Sequence, residues 1–202
     1  AKILIQDTLG LSRNDQFIDR PLSQRNFQRE GFGQKLWGEH YRAVYAQQER
    51  VPLLWLPDFP GGLTPRRATS GYTTRNLELL SGSGEAYELR SLDKEAERVI
   101  PYPFNNSVLT RVIEDNFSAI HPMASLPLPH LQKAADIPHT QPSLRFLPQQ
   151  EILGRFNRAF GDQLYLMEEY PSNNQYLYRD SLGAWVYLKS LDMLGQLVQY
   201  PH

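Results

Sequence analysis

The chain has 202 residues, enough for one large domain or one domain with a long extension. Its formal net charge of -1, with Lys and Arg scattered rather than striped, excludes the basic footprint of a nucleic-acid-binding or membrane-surface protein. Without cysteine it can form no disulfide, thiolate metal site or cysteine nucleophile, while 41% hydrophobic residues suffice for a real core.

Residues 1–35 are polar and only loosely patterned, which predicts an extended arm lying on the body, with a short strand or helix possible from Lys2 to Gln6. Leu36, Trp37, His40, Tyr41, Val44 and Tyr45 recur at helical spacing, predicting a helix over 34–48 that Pro52 ends. Val51 to Leu56 is short, apolar and proline-bounded, as an edge strand would be. No apolar run reaches the ~18 residues of a membrane-spanning helix, so no membrane insertion is expected.

The plan of the chain is clearest between Leu63 and Lys94. Gly61 and Gly62 turn the chain into this segment, and Arg66 to Ser70 reads as a first strand. Thr73 to Leu80 alternates with Leu77 and Leu79 on one face, Ser81-Gly82-Ser83-Gly84 supplies a tight turn, and Glu85 to Leu92 alternates again. That predicts a β-hairpin. Ser107 is a good N-cap for a helix to about Ile120, stopped by His121-Pro122. A shorter helix over His130–Ala135, a strand over Ser143–Leu147, a short helix carrying Ile152, Phe156 and Phe160, and a strand over Gln163–Glu169 follow. Leu182 to Gln199 makes a last amphipathic helix, apolar on more than one side, which predicts cover from a following lobe in the full protein and, in this chain alone, from folding back over the hairpin sheet or from a second copy in a homodimer.

The fold class that results is α+β: a small antiparallel sheet centred on the hairpin and packed by helices. Its parts are an N-terminal arm and helix (1–60), a core (61–171) and a C-terminal helix (172–202).

Motifs for chemistry are scarce. On the helix after Ser107, Asn116 falls in the middle of the apolar face and Asp115 on its edge, with Glu114 on the solvated side. A carboxylate at that edge either finds a partner, for which Arg90 on the hairpin is the candidate, or reaches solvent or caps a nearby loop. The histidines lack the i, i+4 pairing of a helical zinc site. Glu168 and Glu169 point to opposite faces of one strand and cannot act as an acid–base pair. No Gly-x-Ser-x-Gly elbow occurs, and Gly82-Ser83-Gly84 lacks the rest of a dinucleotide loop. Trp37, Trp55 and Trp185 read as core anchors rather than a binding platform.

In order, the chain offers a strand, a Gly-containing loop, a strand, a turn, a strand ending in a basic residue, a helix with an inward acid, two strands and a hinge. This resembles the N-terminal lobe of protein-kinase-like folds. More closely, it resembles a kinase-like segment of bacterial cell-surface proteins, where that segment accompanies a metallophosphoesterase or a surface-antigen barrel. The pieces are Trp37-Gly38-Glu39-His40-Tyr41-Arg42, Gly61-Gly62-Leu63, Leu89-Arg90-Ser91-Leu92-Asp93-Lys94, Asp115-Asn116-Phe117-Ser118-Ala119-Ile120-His121-Pro122 and Met167-Glu168-Glu169-Tyr170-Pro171.

The resemblance implies that Arg90, Asp115, Gly71 and Glu168 mark any nucleotide site: the strand-borne base, its helix acid, the phosphate loop and the hinge. It also implies a place outside the cytoplasm and a second lobe as partner. The chain departs from that pattern at Thr69 and Ser70, where glycines belong, and at Glu88, a carboxylate where an apolar residue would roof a purine, expected to be poorly paired. The catalytic Asp and metal-binding Asn belong to the second lobe, so no cofactor is expected for this chain alone, and ATP with magnesium only in a full-length parent. The other reading is a non-enzymatic interaction module for protein or glycan.

Overall fold

The computed structural model describes residues 10–23, 38–70, 73–98, 100–103, 107–137 and 139–170. These form an α+β fold with a two-stranded and a five-stranded sheet, both antiparallel. The small sheet pairs β1 (Phe17–Pro21) with β2 (Gln48–Pro52). The large one contains β3 (Leu63–Ser70), β4 (Thr74–Ser81), β5 (Ala86–Lys94), β6 (Ser143–Leu147) and β7 (Gln163–Tyr170), in the spatial order β3-β4-β5-β7-β6. Short helices connect them: α1 (Arg42–Ala46), α2 (Val108–Asn116), α3 (Leu128–Ala134) and α4 (Asn157–Phe160).

The hairpin of β4 and β5 stands where its alternation puts it, with β5 at the centre of the sheet. Its turn is closed by the Gly84 N–H donating to the Ser81 carbonyl at 3.0 Å, with Gly84 at φ 92°. The Gly82 N–H donates across to the Gly61 carbonyl at 3.0 Å, holding the turn against the loop before β3. A Cβ on Gly82 would lie 2.6 Å from that oxygen, so no other residue fits without moving the backbone.

Strand alternation sorts the apolar residues into two clusters on opposite faces of the sheet. On one face Leu63, Leu77, Leu79, Leu89, Leu147, Tyr165 and Met167 meet Leu54, Leu56, Leu153 and Phe160 from the flanking segments. On the other, Leu92, Phe146 and Leu164 pack with Leu22, Val51 and Leu53, which come from the two-stranded layer and its exit. The buried Gln150 ties the covering segments together. Its Oε1 accepts from the Leu56 N–H at 2.9 Å, its Nε2 donates to the Leu54 carbonyl at 3.0 Å, and its own N–H donates to Asn157 Oδ1 at 3.0 Å.

Several expectations need correction. The stretch before residue 35 contributes a paired strand, β1, because Phe17 to Pro21 finds its partner more than two dozen residues downstream in β2. That partner runs Gln48–Pro52 rather than Val51–Leu56, so in the described part of 34–48 only Arg42–Ala46 is helical. Ser107 occupies the cap position of α2 but makes no capping side-chain bond, and Asn116 is exposed rather than central to an apolar face. The helix ends at Asn116 and tightens into a 3₁₀ turn over Phe117–Ala119. Ile152 to Phe160 is not one helix: Gly154 (φ 50°) kinks a 3₁₀ stretch over Glu151–Phe156, and only Asn157–Phe160, α4, is α-helical. Gly71, the Lys2–Gln6 segment, Trp37, Trp185 and the helix over Leu182–Gln199 with its homodimer surface lie outside the described residues.

Candidate functional site

The second face of the large sheet is apolar only over β6, β7 and the end of β5; over β3, β4 and the rest of β5 it is polar. Arg67, Glu78, Glu88 and Glu168 stand opposite one another on four successive strands. Like charges directly opposite each other destabilise a sheet, and the neighbouring side chains offset this. Glu78 is buried and receives Arg66 at 3.1 Å and Arg67. Glu88 accepts from Thr69 Oγ1 at 3.0 Å, Asn76 Nδ2 at 3.2 Å and Arg90 at 3.2 Å.

Glu88 is thus better paired than the sequence suggests, because its cross-strand neighbours supply the donors. The expectation of a poorly paired carboxylate is corrected. The Glu168 carboxylate has no hydrogen-bonding partner among the described residues. Asn76 is buried; its Nδ2 donates to Glu88 while its Oδ1 has no partner.

The expected pairing of Arg90 with Asp115 does not form. Arg90 is engaged by Glu88, two residues away on its own strand, which lies within easier reach than the helix. The Asp115 carboxylate is instead gripped by Arg42, with Nη1 to Oδ1 at 2.8 Å and Nη2 to Oδ2 at 3.0 Å. Both side chains are only 10% exposed, so the pair is a mostly buried, two-pronged one. Around it the stretch containing α1 docks onto the end of α2. The Tyr41 N–H donates to the Ser118 carbonyl at 2.9 Å, His40 Nδ1 lies 3.0 Å from Ser118 Oγ, and the Tyr45 hydroxyl donates to the Ile120 carbonyl at 2.8 Å. Burial, and after it the charge of Asp93, pushes the Tyr45 phenol up to about 12.

Sequence reasoning therefore left open whether Asp115 is paired, and the base it offered was not the one that pairs. Arg42 lies 73 residues before Asp115, and nothing in the local pattern around either residue points to the other.

Of the four positions implied for a nucleotide site, Arg90 and Glu168 share the polar sheet face, Asp115 belongs to the junction with α1, and Gly71 is not among the described residues. Among the described residues no group of three His, Asp or Glu side chains comes together to hold a metal ion. Nor is any described helix long and apolar enough to cross a membrane. A separate groove of about 560 Å³ opens beside Trp55, against the segment that follows β6. No family model matches the chain, and neither a curated protein nor a solved structure matches it.

Proposed function

We propose that this chain is an N-lobe-like module of a larger protein, shaping a cleft with a partner domain and not catalytic by itself. The observation that carries this reading is the order of elements: three strands in succession, two helices, then two more strands, the last of which returns beside the third. Apart from the second helix, this follows the succession on which the kinase-like resemblance rests. The last described strand, β7, lies next to the hairpin strand that carries Arg90.

The polar face favours a role other than nucleotide chemistry. Triphosphate would meet a row of carboxylates at Glu78, Glu88 and Glu168, and the arginines of that row are already engaged. The Arg90–Asp115 contact that such chemistry needs is replaced by Arg42–Asp115. A place at the bacterial cell surface rests on the resemblance alone.

Titration with millimolar ATP and magnesium tests the reading. A ligand that binds only the folded chain raises its stability as RT ln(1 + [L]/Kd), so the melting temperature should stay unchanged. A saturable rise that Arg90→Ala abolishes would overturn the non-catalytic assignment. Carbodiimide labelling tests the partner: Glu168 should react in this chain and be protected in the longer parent protein. Equal labelling in both would remove the case for a partner domain on this face. A second reading, an interaction module without a nucleotide site, is favoured by the groove beside Trp55.

A further inference from the structure

The groove beside Trp55 has no part in the N-lobe reading and stands on separate observations. Its volume of about 560 Å³ lies within the range of small-molecule sites, roughly 300–1,000 Å³. Leu11, Trp55, Pro57, Pro148 and Ile152 form its apolar walls, Trp55 being only partly buried and open to the groove rather than the core anchor its sequence suggests. The prolines fix their own backbone, and the indole N–H of Trp55 is tied to the Asp15 carbonyl at 3.2 Å, so the lining is held before any ligand arrives.

The polar groups on the rim are positioned and partly uncommitted. Asp162 sits in the left-handed region (φ 60°), a conformation that non-glycine residues adopt sparingly and that recurs at functional sites. There its carboxylate takes both the backbone N–H of Gln149, at 3.1 Å, and its Nε2, at 2.8 Å. With the amide nitrogen engaged, Gln149 Oε1 is left without a partner among the described residues. The exposed Glu151 carboxylate likewise has none among them. Arg13 directs Nε and Nη2 to Asp58, which leaves its Nη1 uncommitted among the described residues.

We propose that this groove binds a neutral oligosaccharide, packing the C–H faces of one or two sugar rings on Trp55 and the prolines and bonding their hydroxyls to Gln149, Glu151 and Arg13. Each alternative ligand chemistry fits worse. An anion meets Glu151 and Asp162, and a cation meets Arg13. A purely apolar ligand would bury polar rim groups without partners, which costs affinity. A hydroxyl both donates and accepts, matching a rim that offers two acceptors and one donor. A peptide added as a strand would call on a free strand edge, whereas the uncommitted groups here are all side chains, and a proline-rich helix offers too few donors and acceptors for that rim.

Calorimetric titration of the full chain with maltotriose, cellotriose and chitotriose, and with decaproline as a peptide probe, tests the proposal. At least one trisaccharide should bind saturably. Glu151→Gln, on an exposed side chain that the fold does not use, should weaken that binding roughly tenfold. Trp55→Leu should abolish it, and Glu97→Gln, away from the groove, should leave it unchanged. Should Trp55→Leu lose its fold, Gln149→Ala replaces it with the same expected loss. Absence of binding by all three sugars, binding that survives Glu151→Gln and Gln149→Ala unaltered, or binding of decaproline alone would overturn it.

Discussion

Asp115 illustrates what a single buried charge demands of its surroundings. Taken from water it must find a cation and enough donors, or its desolvation goes uncompensated. Arg42 supplies both in one planar fork. Asp115→Ala would leave the guanidinium buried without its carboxylate, so it should cost about 3 kcal/mol or more in urea unfolding. The pair replaced together, as Arg42→Met with Asp115→Leu, should cost less than the single change. A single-mutant cost under ~1 kcal/mol would mean that solvent already reaches the pair.

Tyr45, in the same junction, gives a pH signature. Its phenol titrates near 10 when unfolded and at about 12 when folded, so the neutral form is the one the fold favours. Its stabilising contribution is therefore complete below about pH 10 and is lost as pH rises through about 12. Tyr45→Phe should flatten the loss of stability on that alkaline limb; a limb of unchanged slope would assign it to other groups.

At the level of elements, legibility followed the range of the interactions. The hairpin, β6 and β7 could be read directly, because a period of two and a glycine turn are properties of a few adjacent residues. The turn itself is testable: Gly82→Ala forces a Cβ against the Gly61 carbonyl and should lower stability by about 1–3 kcal/mol in thermal unfolding, with the strands retained by circular dichroism.

What could not be read is what depends on distant partners. β1 carries no pattern of its own and exists because β2 completes it. The helix after Ser107 ends early because Ser118 and Phe117 are drawn into contacts with the α1 segment. Glu88 is unexceptional once Asn76 and Thr69 are placed beside it, and nothing within its own strand announces them. The candidate site was legible to the same extent: Arg90 and Glu168 share a face because alternation puts them there, whereas the partner of Asp115 lies 73 residues away.

For the whole molecule, the decisive feature is that one sheet is the wall of both apolar clusters. Adjacent residues of β6, Phe146 and Leu147, are both fully buried yet belong to opposite faces, and Leu164 and Tyr165 repeat this on β7. Neither cluster can lose its packing without disturbing strands that the other needs, so the described body should unfold as one cooperative unit. Phe146→Ala and Leu147→Ala empty space on opposite faces of the same strand, and each should cost roughly 2–5 kcal/mol. Both should lower the midpoint of a single urea transition at an unchanged m-value, with protection from hydrogen exchange falling together in β1–β2 and in β3–β5. Loss of protection confined to β1 and β2 in Phe146→Ala would show instead that the two-stranded layer opens separately. The polar face over β3 to β5 would then border a detachable layer rather than belong to one rigid body.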